Sequence, residues 1–204
     1  MRNKFDMQLE RLSEQLIFMG SLCEKAIANA TKALRNGDLE LAKLVMSEDE
    51  EIDQIEKDIE RLCLKLLLQQ QPVARDLREI SAALKMISDM ERIGDQAADI
   101  ADLSKFIDRS VVEIPDEIAR MAEKTVHMVT ESIDAFVKAD LALCRKVIDD
   151  DDLVDELFNQ TKNKLADLIY KNMDAKAGLD LLMTAKYIER IGDLSLIHIS
   201  EPTR

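Results

Sequence analysis

The sequence predicts an all-α protein made of two tandem antiparallel three-helix bundles related by internal duplication. Three observations carry this. Leu, Ile, Ala, Met, Glu, Asp and Lys fill the chain, aromatic residues make up 3 %, and only five glycines and three prolines interrupt 204 residues, a composition that favours helix. Apolar residues recur at steps of three and four along each long segment, which is one face of a helix. The pentapeptide ERIGD occurs twice, at 91–95 and 189–193, 98 residues apart.

The first helix is expected over residues 4–35, on Phe5, Leu9, Leu12, Leu16, Met19, Cys23, Ile27, Ala30 and Leu34. Asn36-Gly37 stops it, and Asp38 caps a second helix that runs to about Gln71 on Leu41, Leu44, Val45, Ile52, Ile55, Ile59, Leu62 and Leu66. Pro72 permits a new start, and a third helix follows from Ala74 to Asp108 on Leu77, Ile80, Leu84, Ile87, Ile93, Ala97, Ile100 and Leu103. Pro115, Asp116 and Glu117 suit a first turn, with acids at the positive end of the dipole. From there a fourth helix reaches Lys138, a fifth spans Asp140 to Tyr170, and a sixth opens near Ala177. At 1.5 Å per residue each is roughly 45 Å long, the last excepted.

The repeat is wider than its pentapeptide. "NGDLELAKLVMSEDEEIDQI" (36–55) aligns without gaps to "KADLALCRKVIDDDDLVDEL" (138–157) at an offset of 102. The second copy therefore loses four residues before its ERIGD, placed by the duplication in a loop near its second turn. The first unit is read as residues 1–110 and the second as 114–193, with short connections making neighbouring helices antiparallel.

A net charge of −13 argues against nucleic acid or an anionic membrane as partners, because both require a basic footprint. Cys23, Cys63 and Cys144 are isolated and read as reduced small hydrophobes of a cytoplasmic protein. The N-terminus has no apolar core like that of a signal peptide. The most apolar run, "LCLKLLL", is too short and too charged to enter a bilayer. Met7, Met19, Met46, Met86, Met90, Met121, Met128 and Met183 fall on or beside apolar stripes and read as core filler.

The chemistry lies in the acids. Glu91, Asp95 and Asp99 are spaced by four, as are Glu189 and Asp193, so each set shares one helix face and repels itself unless neutralised. Arg92 can reach Asp89 or Asp95, and Arg190 can reach Asp193. Folding helices two and three about residue 72 brings Glu91 and Asp95 level with "DEEID", hence Asp49 and Asp53. A turn near 174 brings Glu189 and Asp193 close behind "DDDDLVDE", hence Asp151 and Asp155. Gly94 and Gly192 interrupt the acids at a helix cost of about 1 kcal/mol, consistent with room for a neighbouring helix or ligand. Clustered carboxylates without His or Cys suit hard cations: Mg²⁺, Ca²⁺, Mn²⁺ or oxygen-ligated iron. A lone ExxxD on so charged a helix reads as a solvated face, whereas the exact repeat with opposed acids points to a site. Three readings stay open: a metal-binding adaptor, a metal-dependent phosphohydrolase using the same carboxylates, and a helical scaffold with solvated acids.

The doubled ERIGD, the block "VARDLREISAALKMISDMERIGDQAADIA" and the opening "FDMQLERLSEQLIFMG" resemble the PhoU family of phosphate-regulation proteins, over residues 1 to about 193. That resemblance implies a cytoplasmic, non-enzymic negative regulator of the phosphate regulon. It would act with the ATPase of a phosphate ABC transporter and with a phosphate-sensing histidine kinase, often as a homodimer. It also implies metal ions or multinuclear clusters on the E/DxxxD faces, with iron, manganese, magnesium or zinc as cofactor, at Glu91, Asp95, Asp99, Glu189 and Asp193. Asp49, Asp53, Asp151 and Asp155 join this set through the opposition of helices alone.

The end of the chain departs from the pattern. "LSLIHISEPTR" (194–204) places Ile197 where the first repeat has Asp99, and Pro202 opposes helix. The run resembles translated adapter sequence and is expected to be foreign, leaving the sixth helix truncated or altered, with less apolar burial and one ligand fewer.

Overall fold

Each apolar stripe finds a partner in the computed structural model, which describes residues 2–69 and 73–200. Among these residues there are six α-helices and no strand: α1 (Arg2–Asn36), α2 (Leu39–Gln69), α3 (Ala74–Ser104), α4 (Asp116–Lys138), α5 (Leu141–Tyr170) and α6 (Ala175–Ser200). Leu12, Leu16, Met19, Cys23, Ile27 and Leu34 of α1 are buried, and so are Val45, Ile52, Ile59 and Leu66 of α2. Each such side chain contributes roughly 2 kcal/mol of transfer free energy. Pro72 and Glu201–Arg204, Pro202 among them, lie outside the described residues, as does the side chain of Ile197.

The helix stops follow the expected chemistry. Gly37 takes φ +65° after α1, and the Asp38 amide donates to the Ala33 carbonyl at 3.0 Å. Asp38 then accepts from the Leu41 amide at 3.0 Å. In the second unit Ala139 occupies the place of Gly37, at φ +51°, and Asp140 accepts from the Ala142 and Leu143 amides. Asp174 caps α6 through the Ala177 amide at 2.9 Å.

Two boundaries move. The third helix ends at Ser104 rather than Asp108, because Asp108 accepts from the Ser110 amide and hydroxyl and makes a turn of its own. Ile107, Val112 and Ile114 then pin the connecting segment to the core, and Arg109 donates to the Arg35 carbonyl at 3.0 Å. The sixth helix opens at Ala175 rather than Ala177. α3 opens 17 residues before Glu91 and α6 opens 14 before Glu189. Three of the four residues lost in the second copy thus come from a helix turn, not from the loop. At its other end α6 continues to Ser200, with Leu194 and Ser195 buried.

Some apolar residues placed on stripes are exposed: Leu44, Leu77, Met7, Met46 and Met183. α2 packs only on α1 and α3, and α5 only on α4 and α6, among the described residues. Their outer flanks therefore face water. Met19, Met86, Met90, Met121 and Met128 are core, as expected.

The two bundles do not stand apart. α1 packs on α4 and α3 on α6, and one apolar cluster runs through both halves. A Cβ on Gly20 of α1 would run into Ile133 Cδ1 of α4, so this glycine permits the close approach. Thr130 donates to Glu24 at 3.1 Å across the same seam, and the Lys176 ammonium lies 5.7 Å from the Phe106 ring on the other. No helix among the described residues is long and apolar enough to cross a membrane.

Candidate metal centre

Two carboxylate faces form where α2 meets α3 and where α5 meets α6. On the first, α2 supplies Asp49 and Asp53, and α3 supplies Glu91, Asp95 and Asp99. Burial, with the charges of Asp95, Asp53 and Asp99, pushes the Asp49 carboxyl from the ordinary 3.8 to about 6. Glu91 is also raised, by burial and then by Asp95, Glu56, Asp53 and Asp49. These acids share one field, and the packing of α2 on α3 has set them level. Asp49 lies directly over Gly94: a Cβ there would come within 2.7 Å of Asp49 Oδ1 and 2.9 Å of Ile52 Cδ1. The missing side chain is what lets α2 carry its carboxylate onto α3. Asp49 Oδ1 is buried and has no hydrogen-bond partner within the protein, an arrangement costing on the order of 1–3 kcal/mol unless something answers it.

The second face repeats the geometry with different neutralisation. Burial, with Asp193, Asp155, Asp152 and Glu189, pushes Asp151 to about 6. Burial and Glu189 raise Asp193, against the pull of Lys186 and Arg190. Glu189 is itself buried and accepts from Lys186 Nζ at 2.6 Å. The Lys186 ammonium also lies 5.5 Å from the Phe158 ring. Gly192 is looser than Gly94: its nearest neighbour, Asp151 Oδ1, would stand 3.5 Å from an added Cβ, an ordinary contact. Room is therefore required at Gly94 and not at Gly192.

All nine acids expected from the sequence fall on these two faces. Glu56 and Asp152 extend them; Asp152 stood in the acid run already singled out, whereas Glu56 lies one helix turn beyond the first run. Lys186, Tyr187 and Arg190 were missed as site residues. The signal for Lys186 was its alignment with Ser88 in the first repeat: one face carries a built-in ammonium and the other a hydroxyl. Burial, with Asp95 and Asp102, holds the Asp99 carboxyl above its ordinary value, against the pull of the Tyr187 hydroxyl and of Arg190, both on α6. Asp99 therefore faces the second bundle as well as its own acids. Arg92 reaches Asp89, at 3.4 Å, one of the two partners expected.

Among the described residues, no three Asp, Glu, His or Cys side chains converge tightly enough to hold one ion as they stand. Like charges in a partly buried site repel, so carboxylates without a counter-charge splay. The donor set nevertheless fits a hard cation: oxygen ligands from two helices, one of them desolvated and unpaired, over a glycine cradle.

Fold and faces together define a class: a duplicated six-helix protein presenting one carboxylate face per half. Comparison places it further. A family model described as the PhoU domain matches twice, over residues 16–104 and 118–197. The phosphate-specific transport system accessory protein PhoU homolog of Clostridium acetobutylicum is 36 % identical over 195 residues, covering 94 % of this chain and 89 % of that protein. The protein of the same description from Aquifex aeolicus is 38 % identical over 185 residues, covering 90 % and 84 %. The crystal structure of PhoU from Pseudomonas aeruginosa matches with a TM-score of 0.89 at 30 % identity, over 96 % of this chain and 95 % of that one. The chain belongs to the PhoU family.

Proposed function

We propose that the protein is an accessory component of a phosphate transport system, acting as a metal-binding regulatory adaptor rather than an enzyme. Its relatives of known description are phosphate-specific transport system accessory proteins, which supports the transport role. On this reading it works in the cytoplasm as a homodimer and links the transporter ATPase to the phosphate-sensing histidine kinase. It represses the phosphate regulon when phosphate is plentiful. Asp49, Asp53, Glu91, Asp95 and Asp99 would hold one ion or cluster, and Asp151, Asp155, Glu189 and Asp193 the other. The bound cation would supply positive charge between two helices that otherwise repel across each face. The residues do the rest: Gly94 sets the spacing, Tyr187 and Arg190 tie Asp99 to α6, and the helix geometry that results is what a partner reads.

The observation that carries the metal reading is the buried, unpartnered Asp49 Oδ1 seated over Gly94 among four other acids. The test is elemental analysis of protein purified without chelator or affinity-tag metal, with melts of chelated protein before and after Mn²⁺, Mg²⁺ or Fe²⁺. Ligation raises the melting temperature by mass action, and an Asp49→Asn, Asp95→Asn double variant should lose most of the first face's share. Equal melts with and without every ion, and no stoichiometric metal, would sink the reading.

A further inference from the structure

A second kind of site lies on the opposite side of the charge balance. α1 and α4 run antiparallel, and where the end of α1 passes the start of α4 they leave a groove of about 540 Å³, within the range of small-molecule sites. Lys32 and Arg35 reach it from α1, and Arg120 and His127 from α4. Glu123 is the one acid in its lining. None of Lys32, Arg35 or Arg120 has an ion-pair partner among the described residues. Arg120 acts on Glu117 only at longer range, and that carboxylate is already held by Lys164 at 2.9 Å. An adjoining groove of about 390 Å³ between α4 and α5 shares Arg120, Glu123 and His127. Its own lysine, Lys124, is engaged by Asp150 at 3.0 Å.

Three cations without an ion-pair partner converge in one groove on a chain of net charge −13. Elsewhere Lys25, Lys43, Lys138 and Lys146 each have a carboxylate partner. The cations sit on two facing helices, so one ligand can draw donors from both. The groove takes the N-terminal end of α4 and the C-terminal end of α1, so the two helix dipoles offset one another and the side-chain cations carry the attraction. The acidic remainder of the molecule decides the size of the ligand. A nucleic acid or an anionic membrane would extend beyond the groove over repelling surface. A small anion held within a Debye length of about 8–10 Å feels mainly the local cations. We propose that the α1/α4 groove is a binding site for a small phosphate-bearing anion, either inorganic phosphate or the phosphate group of a nucleotide. The site is separate from the carboxylate faces and does not depend on metal there. It spans the seam between the bundles, so its occupant would bear on how the two halves pack.

The test is calorimetric titration of the full chain, in excess chelator, with inorganic phosphate, with ADP and with sulfate. Saturable binding of phosphate or ADP is expected. Arg120→Gln should weaken it about tenfold, the worth of one charge-assisted hydrogen bond. Glu123→Gln should tighten it, because it removes the only opposing charge. Asp95→Asn should leave it unchanged. Phosphate binding as tightly as ADP identifies the free ion as the occupant, and ADP binding much more tightly identifies a nucleotide. Arg120, Glu123 and Asp95 are exposed, so these variants are expected to fold. No saturable binding of either compound, sulfate binding equal to both, insensitivity to Arg120→Gln and Glu123→Gln, or loss in Asp95→Asn would each overturn the proposal. So would binding of a glutamate-rich peptide with neither phosphate compound bound.

Discussion

At the scale of single residues, the two ERIGD glycines look equivalent in sequence and are not. An alanine at 94 must displace Asp49 Oδ1 and Ile52 Cδ1, while one at 192 meets only ordinary contacts. Alanine gains about 1 kcal/mol of helix propensity over glycine at either place. Gly192→Ala should therefore stabilise the protein by up to that amount, and Gly94→Ala should fall short of it by on the order of 1–2 kcal/mol through overpacking. Urea midpoints of the two variants compare them directly; equal gains would remove the role given to Gly94. Asp49 supplies a second prediction. With its carboxyl raised to about 6 against an ordinary 3.8, the folded chain keeps a proton that the unfolded chain has released in that interval. Stability from this group is fully present below about pH 4 and is lost as pH rises through 6. In metal-free protein, Asp49→Asn should therefore stabilise at pH 7 and gain progressively less toward pH 4.5. A difference that stays flat across that interval would contradict the burial of this carboxylate.

At the scale of elements, the helices were legible because each signal was local. Stripes at steps of three and four marked the buried faces, and Asn36-Gly37, Asp140 and Pro115 marked ends. Asp108 hid the end of α3, because Ile107 continues the apolar count while the turn depends on a side chain folding back onto Ser110. The acid faces were legible too, since an antiparallel pair with a known turn fixes which residues are level. What neutralises each face was not, because it depends on rotamers: Lys186 lies on Glu189 while leaning over Phe158. That lysine gives the element-scale prediction. In an Asp95→Asn background, which disables the first face, Lys186→Ser should enlarge the Mn²⁺-induced rise in melting temperature. The variant removes the ammonium competing for Glu189 and restores the residue type found at Ser88. An unchanged or smaller rise would show that Lys186 does not compete with metal.

At the scale of the whole molecule, duplication alone would allow two bundles joined by a string, and no periodic signal along the chain marks where they meet. Their seam is made by complementarity between side chains distant in sequence: Gly20 against Ile133, Glu24 against Thr130, Phe106 against Lys176, Asp99 against Tyr187. One core running through both halves predicts one cooperative unfolding transition, and Gly20 is where this can be tried. Gly20→Val adds three carbons at a point where even a Cβ runs into Ile133 Cδ1, and should cost about 1–3 kcal/mol. Ile133→Ala removes three carbons from the facing helix and should cost about 2–5 kcal/mol alone, through the cavity it leaves. Together the changes refill that space, so the double variant should be more stable than the sum of the two losses by about 1 kcal/mol or more. Urea denaturation of the four proteins closes the cycle. If the halves were independent, the losses would add and unfolding would split into two steps. Coupling at Gly20 and Ile133 instead makes the α1/α4 seam part of a single core that unfolds as one unit.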